Sequence, residues 1–436
     1  MAGPTQQQSA QVSRMSSALV PRELLSWSLT AITLGGLEGG LLGIIVKNQY
    51  SGVASPVLIN FAVAIVAGAP SFANLSSLIV APLAQGRDKI ALLSRLMLVM
   101  GICLALMALP GESATGLVLF TALAVIARSA WAGILTVRAA VWRANYQRQW
   151  RGRVTARIVQ VASLLVALVS ALIGFLMDWN GEAWRAVFPL AGLSSVAGFY
   201  VYRHSRVRRH RQLLQAEQAE LSLRSSTFSL KAMSAVVREN RDFRNYMLGM
   251  TVFGSGNLMI IAMLVVFMND HFTLSRMEQV MITSALPLMV LCFSIAQWAK
   301  LLDRRHIFTY RAIHSWSFFS ALAVFAIAAI AGIPGLLWLG SFILGSAYAG
   351  GHLGWNLGHN DFTNDANSSL YMSIHVSLTG LRGLLMPIVG VAFMQYLESI
   401  SPGYGAYAML LPLLLCFLGS CWFVFLHFDR ERGGGS

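Results

Sequence analysis

Long apolar runs separated by short polar stretches dominate this chain. Twelve such runs fall at about 24–46, 57–84, 90–110, 115–138, 155–177, 184–203, 245–269, 278–299, 307–331, 334–358, 368–396 and 404–428. Most are ~20 residues or longer, enough at ~1.5 Å per residue to cross ~30 Å of hydrocarbon. The pattern predicts an all-α membrane protein with 12 transmembrane helices. Residues 1–23 are polar and rich in Ser and Gln, lack the apolar core of a cleavable signal, and read as a cytoplasmic tail. Residues 429–436, ending in Gly-Gly-Gly-Ser, read as a second tail.

The polar intervals add orientation. Of 32 Lys and Arg residues, 27 fall in the tails and alternate loops on one side. Only Lys47, Arg185 and Arg276 fall on the other side, and Arg128 and Arg382 lie inside spans. Basic loops stay in the cytoplasm, so both termini are expected there, which requires an even number of spans. The longest interval, 204–243, is basic at Arg206, Arg208, Arg209 and Arg211, helix-forming from Gln212 to Leu223, and basic again from Lys231 to Arg244. It reads as a cytoplasmic linker lying on anionic headgroups. It divides the chain into an N-terminal six-helix bundle, 24–203, and a C-terminal one, 244–428.

Composition sharpens this picture. Hydrophobic residues make up 56% and charged residues 11%, with a mean hydropathy of +0.62. A soluble domain carries about a quarter charged residues, so soluble, disordered and disulfide-scaffold classes are excluded. The net charge of +14 sits in membrane-flanking loops and not on a separable domain, which argues against nucleic acid as a partner. Cys103, Cys292, Cys416 and Cys421 are scattered in apolar runs and read as small hydrophobic fillers.

Several motifs resemble those of the major facilitator superfamily. Ala84-Gln85-Gly86-Arg87-Asp88-Lys89 and its second-half counterpart Lys300-Leu301-Leu302-Asp303-Arg304-Arg305 are similar to that family's short charged loop, without its leading glycine. Arg128 with Gly133, and Arg151-Gly152-Arg153-Val154-Thr155, are also family-like. The fifth run, through Val169 and Gly174, has no proline and so lacks the antiporter signature. The stretches Gly354–Phe362 and Tyr371–Gly383 look like a subfamily signature. The resemblance implies two bundles around a cavity that opens alternately to each side, with substrate near the midplane. It implies gating roles for Arg87, Asp88, Asp303 and Arg304, cavity lining by spans 1, 4, 7 and 10, and a monomer.

Intramembrane charge is the main candidate chemistry. A charged side chain at bilayer depth costs about 3 kcal/mol on insertion scales. Glu38, inside Gly35-Gly36-Leu37-Glu38-Gly39-Gly40, is the one acid read as lying deep in a span. It is either a proton-titratable or substrate-binding carboxylate, or a structural partner of Arg128. His375, Thr379 and Arg382 are spaced i, i+4, i+7 and share one helix face. That stripe either binds an anion or gates the second half, or Arg382 holds backbone carbonyls. His352, Asn356 and His359 repeat the spacing, with Trp355 beside them as a substrate contact. Asn257 between Gly254 and Leu258 marks a flex point in span seven. Met259/Met263 and Met277/Met281 could offer thioethers to Cu(I) or could pack the core.

No Walker loop or catalytic constellation appears, so neither an enzyme nor a resident cofactor or metal is expected. The expected function is secondary active transport of a small organic solute, coupled to protons, across a bacterial inner membrane. A lipid or amphiphile translocase, a copper importer, and a non-transporting assembly or sensor protein on the same fold remain the alternatives.

Overall fold

The computed structural model describes residues 14–146, 148–223, 230–363 and 368–433. They fold into helices almost throughout. The N-terminal half comprises α1 (Arg14–Gly35), α2 (Gly39–Gln49), α3 (Pro56–Phe72), α4 (Ser77–Ala84), α5 (Lys89–Leu106), α6 (Ala114–Asn145), α7 (Arg148–Trp179) and α8 (Trp184–Tyr202). Two connector helices follow, α9 (His210–Leu223) and α10 (Leu230–Glu239). The C-terminal half comprises α11 (Arg241–His271), α12 (Arg276–Val280), α13 (Leu286–Leu302), α14 (Ile307–Ala331), α15 (Gly335–Leu357), α16 (Ser368–Ile400) and α17 (Leu410–Gly433).

Local chemistry sets the boundaries. Ser55 caps α3 by accepting from Leu58 N, with Pro56 at the first helical position, where no backbone N–H is needed. Pro70 precedes a 3₁₀ turn, Ala73–Ser76, that bends α3 into α4. Ser113 caps α6 through Gly116 N at 3.0 Å. Gly332 ends α14 with φ +69°, a conformation that costs glycine no Cβ clash.

Ten of these helical stretches are long and apolar enough to cross a membrane. The runs expected at 184–203 and 334–358 are also helical, as α8 and α15, and pack beside α5 and α14, but are not among those ten. Close packing relies on small residues: Gly101 of α5 and Gly192 of α8 meet so tightly that a Cβ on either would strike the other's carbonyl.

One end of the molecule carries the connectors. There Arg22 donates to His204 O, Asn145 bonds both Arg206 O and Arg208 N, Asn240 donates to Phe362 O, and Thr309 meets His427. The described chain therefore starts and finishes at this linker end. The other end gathers Lys47, Gln49, Glu112, Glu182, Asp270 and Glu398; Gln49 donates to both Glu112 and Glu182.

The two halves close on each other at the far end. Lys47 forms an ion pair with Asp270 at 2.8 Å and donates to Asn60 at 2.6 Å. Asp178 accepts from Arg276 N and Met277 N at the start of α12, and the Arg276 guanidinium donates to Met177 O at 2.7 Å. Nearer mid-depth, Gly68 packs on Pro387 and Gly383 of α16.

Candidate functional site

The first span is two helices. The glycines around Glu38 disfavour continuous helix, and α1 stops at Gly35 while Glu38 sits extended at φ −61°, ψ 132°, ahead of α2. An interruption at this depth frees carbonyls that must find donors. Gly36 N and Leu37 N turn back onto Thr33 O and Leu34 O. Ser170 of α7 donates to Gly35 O at 2.8 Å. Arg128 of α6 donates through Nε to Leu37 O at 2.7 Å and through Nη2 to Glu38 Oε1 at 2.9 Å. The guanidinium thus lies against the carbonyl end of α1, and the carboxylate against the N–H end of α2, each where the helix dipoles favour it.

Arg128 is 4% exposed, whereas Glu38 keeps 21% of its side chain exposed. Its opposite wall is α15, where Tyr348 lies within electrostatic reach of Glu38. Two glycines let α2 sit here. A Cβ on Gly39 would meet Ala67 O at 2.8 Å, and one on Gly40 would strike the hydroxyls of Thr283 and Ser284 across the seam. Thr283 and Ser284 lie on a π-helical turn, Met281–Ala285, a wider winding that interrupts the eighth span.

The second half brings Trp355, His375, Thr379 and Arg382 together. Trp355 Nε1 donates to Thr379 Oγ1 at 3.1 Å, and Arg382 Nη2 donates to the same oxygen at 3.1 Å. Arg382 also donates to Leu378 O and to Met250 O of α11. Its guanidinium packs against Gly254, and its hydrogen bonds go to two backbone carbonyls and the Thr379 hydroxyl. Asn257 is half-buried on the same helix, near Gly254. His352 and Asn356 lie on another flank of α15, where Asn356 donates to His352 O at 2.7 Å. His352 is exposed and faces Arg138 across the space between the halves.

His359 follows the end of α15. It is 5% exposed in the 3₁₀ turn Gly358–Phe362, and burial lowers its pKa, so it is neutral at pH 7. Asp361 beside it accepts from Ile307 N at 2.7 Å and faces His306 at 3.7 Å. Asp365 lies outside the described residues, as do the side chains of Arg151 and Arg153.

The charged loop 84–89 grips the connector. Asp88 caps α5 through Ile90 N and Ala91 N, while Lys89 and Gly86 N bind Glu217 of α9. Asp303 sits at the end of α13, in the tight turn it shares with Arg304. The Arg87 backbone N–H donates to Ala84 O at 3.4 Å. Met259 and Met263 are buried against Gly390, which is core packing. Among the described residues, no three His, Cys, Asp or Glu side chains gather as a metal site.

Four charges escaped the sequence reading. Glu23, assigned to the tail, is fully buried on α1 near the start of the first span. Glu23 accepts from Trp27 Nε1 at 2.8 Å, Trp142 Nε1 at 2.6 Å and Tyr202 at 3.4 Å. Arg138, counted as a loop residue, lies over both indoles, 4.7 and 4.2 Å from their centroids. Arg311, also counted with a loop, is 1% exposed within α14. Lys47, counted with the far-end loops, is buried and bridges the two halves. The clue available for Glu23 and Arg138 was the clustering of tryptophans one turn away.

A multi-pass helical membrane protein in two bundles, closed at one end and charged at mid-depth, has the architecture of a transporter. The chain belongs to the Major Facilitator Superfamily, whose family model matches residues 24–357. A search of the curated proteins finds no match. Among solved structures, the chain resembles a D-xylose-proton symporter at TM-score 0.71 and 13% identity, covering 94% of this chain and 97% of that one. It resembles the inward-facing, occupied form of a bacterial homolog of the human lysosomal transporter Spinster at TM-score 0.67 and 12% identity, covering 96% and 98%. The nucleoside transporter NupG matches at TM-score 0.62 and 13% identity, covering 95% and 99%.

Proposed function

We propose that this protein is a secondary active transporter of a small organic solute, with twelve spans, both termini in the cytoplasm and a bacterial inner-membrane location. The linker end is then cytoplasmic, and the arrangement described is closed outward and open inward. The observation that carries this reading is the interrupted first span, where a partly exposed Glu38 pairs with a buried Arg128 and faces Tyr348 of the other half. Family membership supports transport, and the charge cost of this pair supports a working role.

Glu38 is the coupling group in this scheme. Protonation of its carboxyl would release Arg128 to the Leu37 carbonyl alone and loosen the hinge between α1 and α2. Solute would bind near the midplane beside Glu38, Tyr348, Trp355 and Asn356. Closure of the linker end would then open the Lys47–Asp270 and Asp178–α12 contacts at the far end. Asp88 and Lys89, holding α9, would transmit that movement to the connector, with Arg87 and the Asp303–Arg304 turn as gating elements.

The test is ligand-induced stabilisation of purified protein. A solute that binds only the folded state at a hundredfold excess over its Kd adds about 2.7 kcal/mol of stability. Sugars, nucleosides, amino acids and short peptides would be screened at two pH values. The reading expects a stabilising solute whose pH dependence disappears in Glu38→Gln. A solute that binds both proteins with the same pH dependence would remove Glu38 from coupling.

A further inference from the structure

The C-terminal bundle contains buried positive charge that no acid pairs with among the described residues. Arg311 is 1% exposed, and its Nη1 donates to His314 Nδ1 at 3.3 Å. His314 Nε2 in turn donates to Ala347 O at 2.9 Å, which leaves Nδ1 as the acceptor. Arg311 Nε and Nη2 have no partner. His375 is fully buried, and neither ring nitrogen has a partner. Arg382 is 6% exposed and spends its donors on neutral oxygens, so its charge also remains.

These groups form one cluster. The Arg311 guanidinium packs on Gly354, whose carbonyl accepts from Tyr246 OH at 3.3 Å. Tyr246 and Trp355 flank the His375 ring at 6.3 and 5.6 Å. Arg311 acts electrostatically on both His375 and Arg382. No carboxylate appears in the ion pairs or electrostatic partners of Arg382 and His375 among the described residues. Asp361, one turn from Arg311, is engaged by Ile307 N and His306.

A buried guanidinium without a counter-charge is strongly unfavourable, and Arg has no neutral form to retreat to. We infer that this cluster is the binding site for one small, readily dehydrated monoanion, of the halide, nitrate or formate class. The free edge of Arg311 supplies two N–H donors, the His375 imidazole a third, and Arg382 the second positive charge. Burial on every side restricts the ligand to compact ions and excludes a bulky organic solute while α15 is in place. The site is separate from Glu38 and stands whether or not the proposed transport reading holds.

The test uses purified full-length protein at constant ionic strength. Sodium gluconate, too large to enter, is replaced stepwise by chloride, bromide, nitrate or formate while the unfolding midpoint is followed. The expected result is a saturable rise with at least one compact anion, absent in Arg311→Gln. A halide response identifies an inorganic ion as the occupant, and a response confined to formate identifies a carboxylate. In gluconate alone, Arg311→Gln should unfold no earlier than wild type, because an uncompensated charge has been removed. Equilibrium dialysis of wild type against labelled chloride and labelled formate gives a readout that needs no variant, with one ion per chain expected. A flat midpoint with every compact anion, an equal rise in both proteins, or no retained ion would overturn the site.

Discussion

The two halves of this molecule treat buried charge differently. In the N-terminal half each deep arginine has an acid: Arg128 has Glu38, and Arg138 lies beside Glu23 within a ring of Trp27, Trp142 and Tyr202. In the C-terminal half Arg311 and Arg382 have carbonyls, a hydroxyl and a histidine, but no acid among the described residues. The first half completes its own electrostatics, and its balance can change only by moving a proton. On the proposed anion site, the second half would obtain its counter-charge from solution. If both proposals hold, the two bundles handle different ions.

The largest effect should follow from breaking a completed pair. Arg128→Met strands Glu38 and leaves Leu37 O without its donor; removal of one partner of a buried pair typically costs about 3–5 kcal/mol. Denaturation in detergent should show that loss, and the double variant Arg128→Met/Glu38→Gln should recover part of it. Equal loss in the single and double variants would mean that Arg128 acts through the backbone carbonyl alone.

Next comes Glu23. Glu23→Ala orphans two buried indole N–H groups, each costing about 1–3 kcal/mol, and removes the acid beside Arg138. Glu23→Gln keeps an acceptor and should lose less. Tryptophan emission should shift in Glu23→Ala, since Trp27 and Trp142 both lose their partner.

Asp270→Asn addresses the seam between the halves. Lys47–Asp270 is half open to solvent on the acid's side, so stability should change by about 1 kcal/mol or less. The populations should move more visibly. A thiol placed at Ser284, which is 2% exposed at the seam, should label faster once Asp270 is neutralised. Unchanged labelling would locate closure in the Asp178–Arg276 contacts instead. The smallest effect belongs to the linker: Glu217→Gln keeps an acceptor for Lys89 and Gly86 N, so it should cost about 1 kcal/mol, and less at high salt, because the Lys89–Glu217 pair is still partly open to solvent.

Much of this architecture was legible because the bilayer leaves few options for a backbone. The length and period of each run located the helices, ten of which are long and apolar enough to cross a membrane. Glu38 and Arg128 stood out because a charge between glycines in an apolar run has no bland explanation. Their joint support of a broken helix was not legible, since the need for donors arises only once the chain turns at Leu37. Glu23, Arg138 and Arg311 were hidden by their nearness to span ends, where a charge is ordinarily solvated. Burial there comes from neighbouring helices that extend past the apolar runs: α1 starts at Arg14 and α6 continues to Asn145. His375 was visible as part of a stripe, but the lack of a hydrogen-bond partner for its ring nitrogens is a property of the packed bundle.

Solute-evoked proton flux in proteoliposomes tests the central claim most directly. A solute identified by stabilisation would be added to vesicles containing a pH-sensitive dye, with wild type and Glu38→Gln compared alongside uptake of the labelled solute. The account predicts proton movement with the solute in wild type and none in Glu38→Gln, which should still exchange solute down its own gradient. Proton movement of equal size in Glu38→Gln would contradict it.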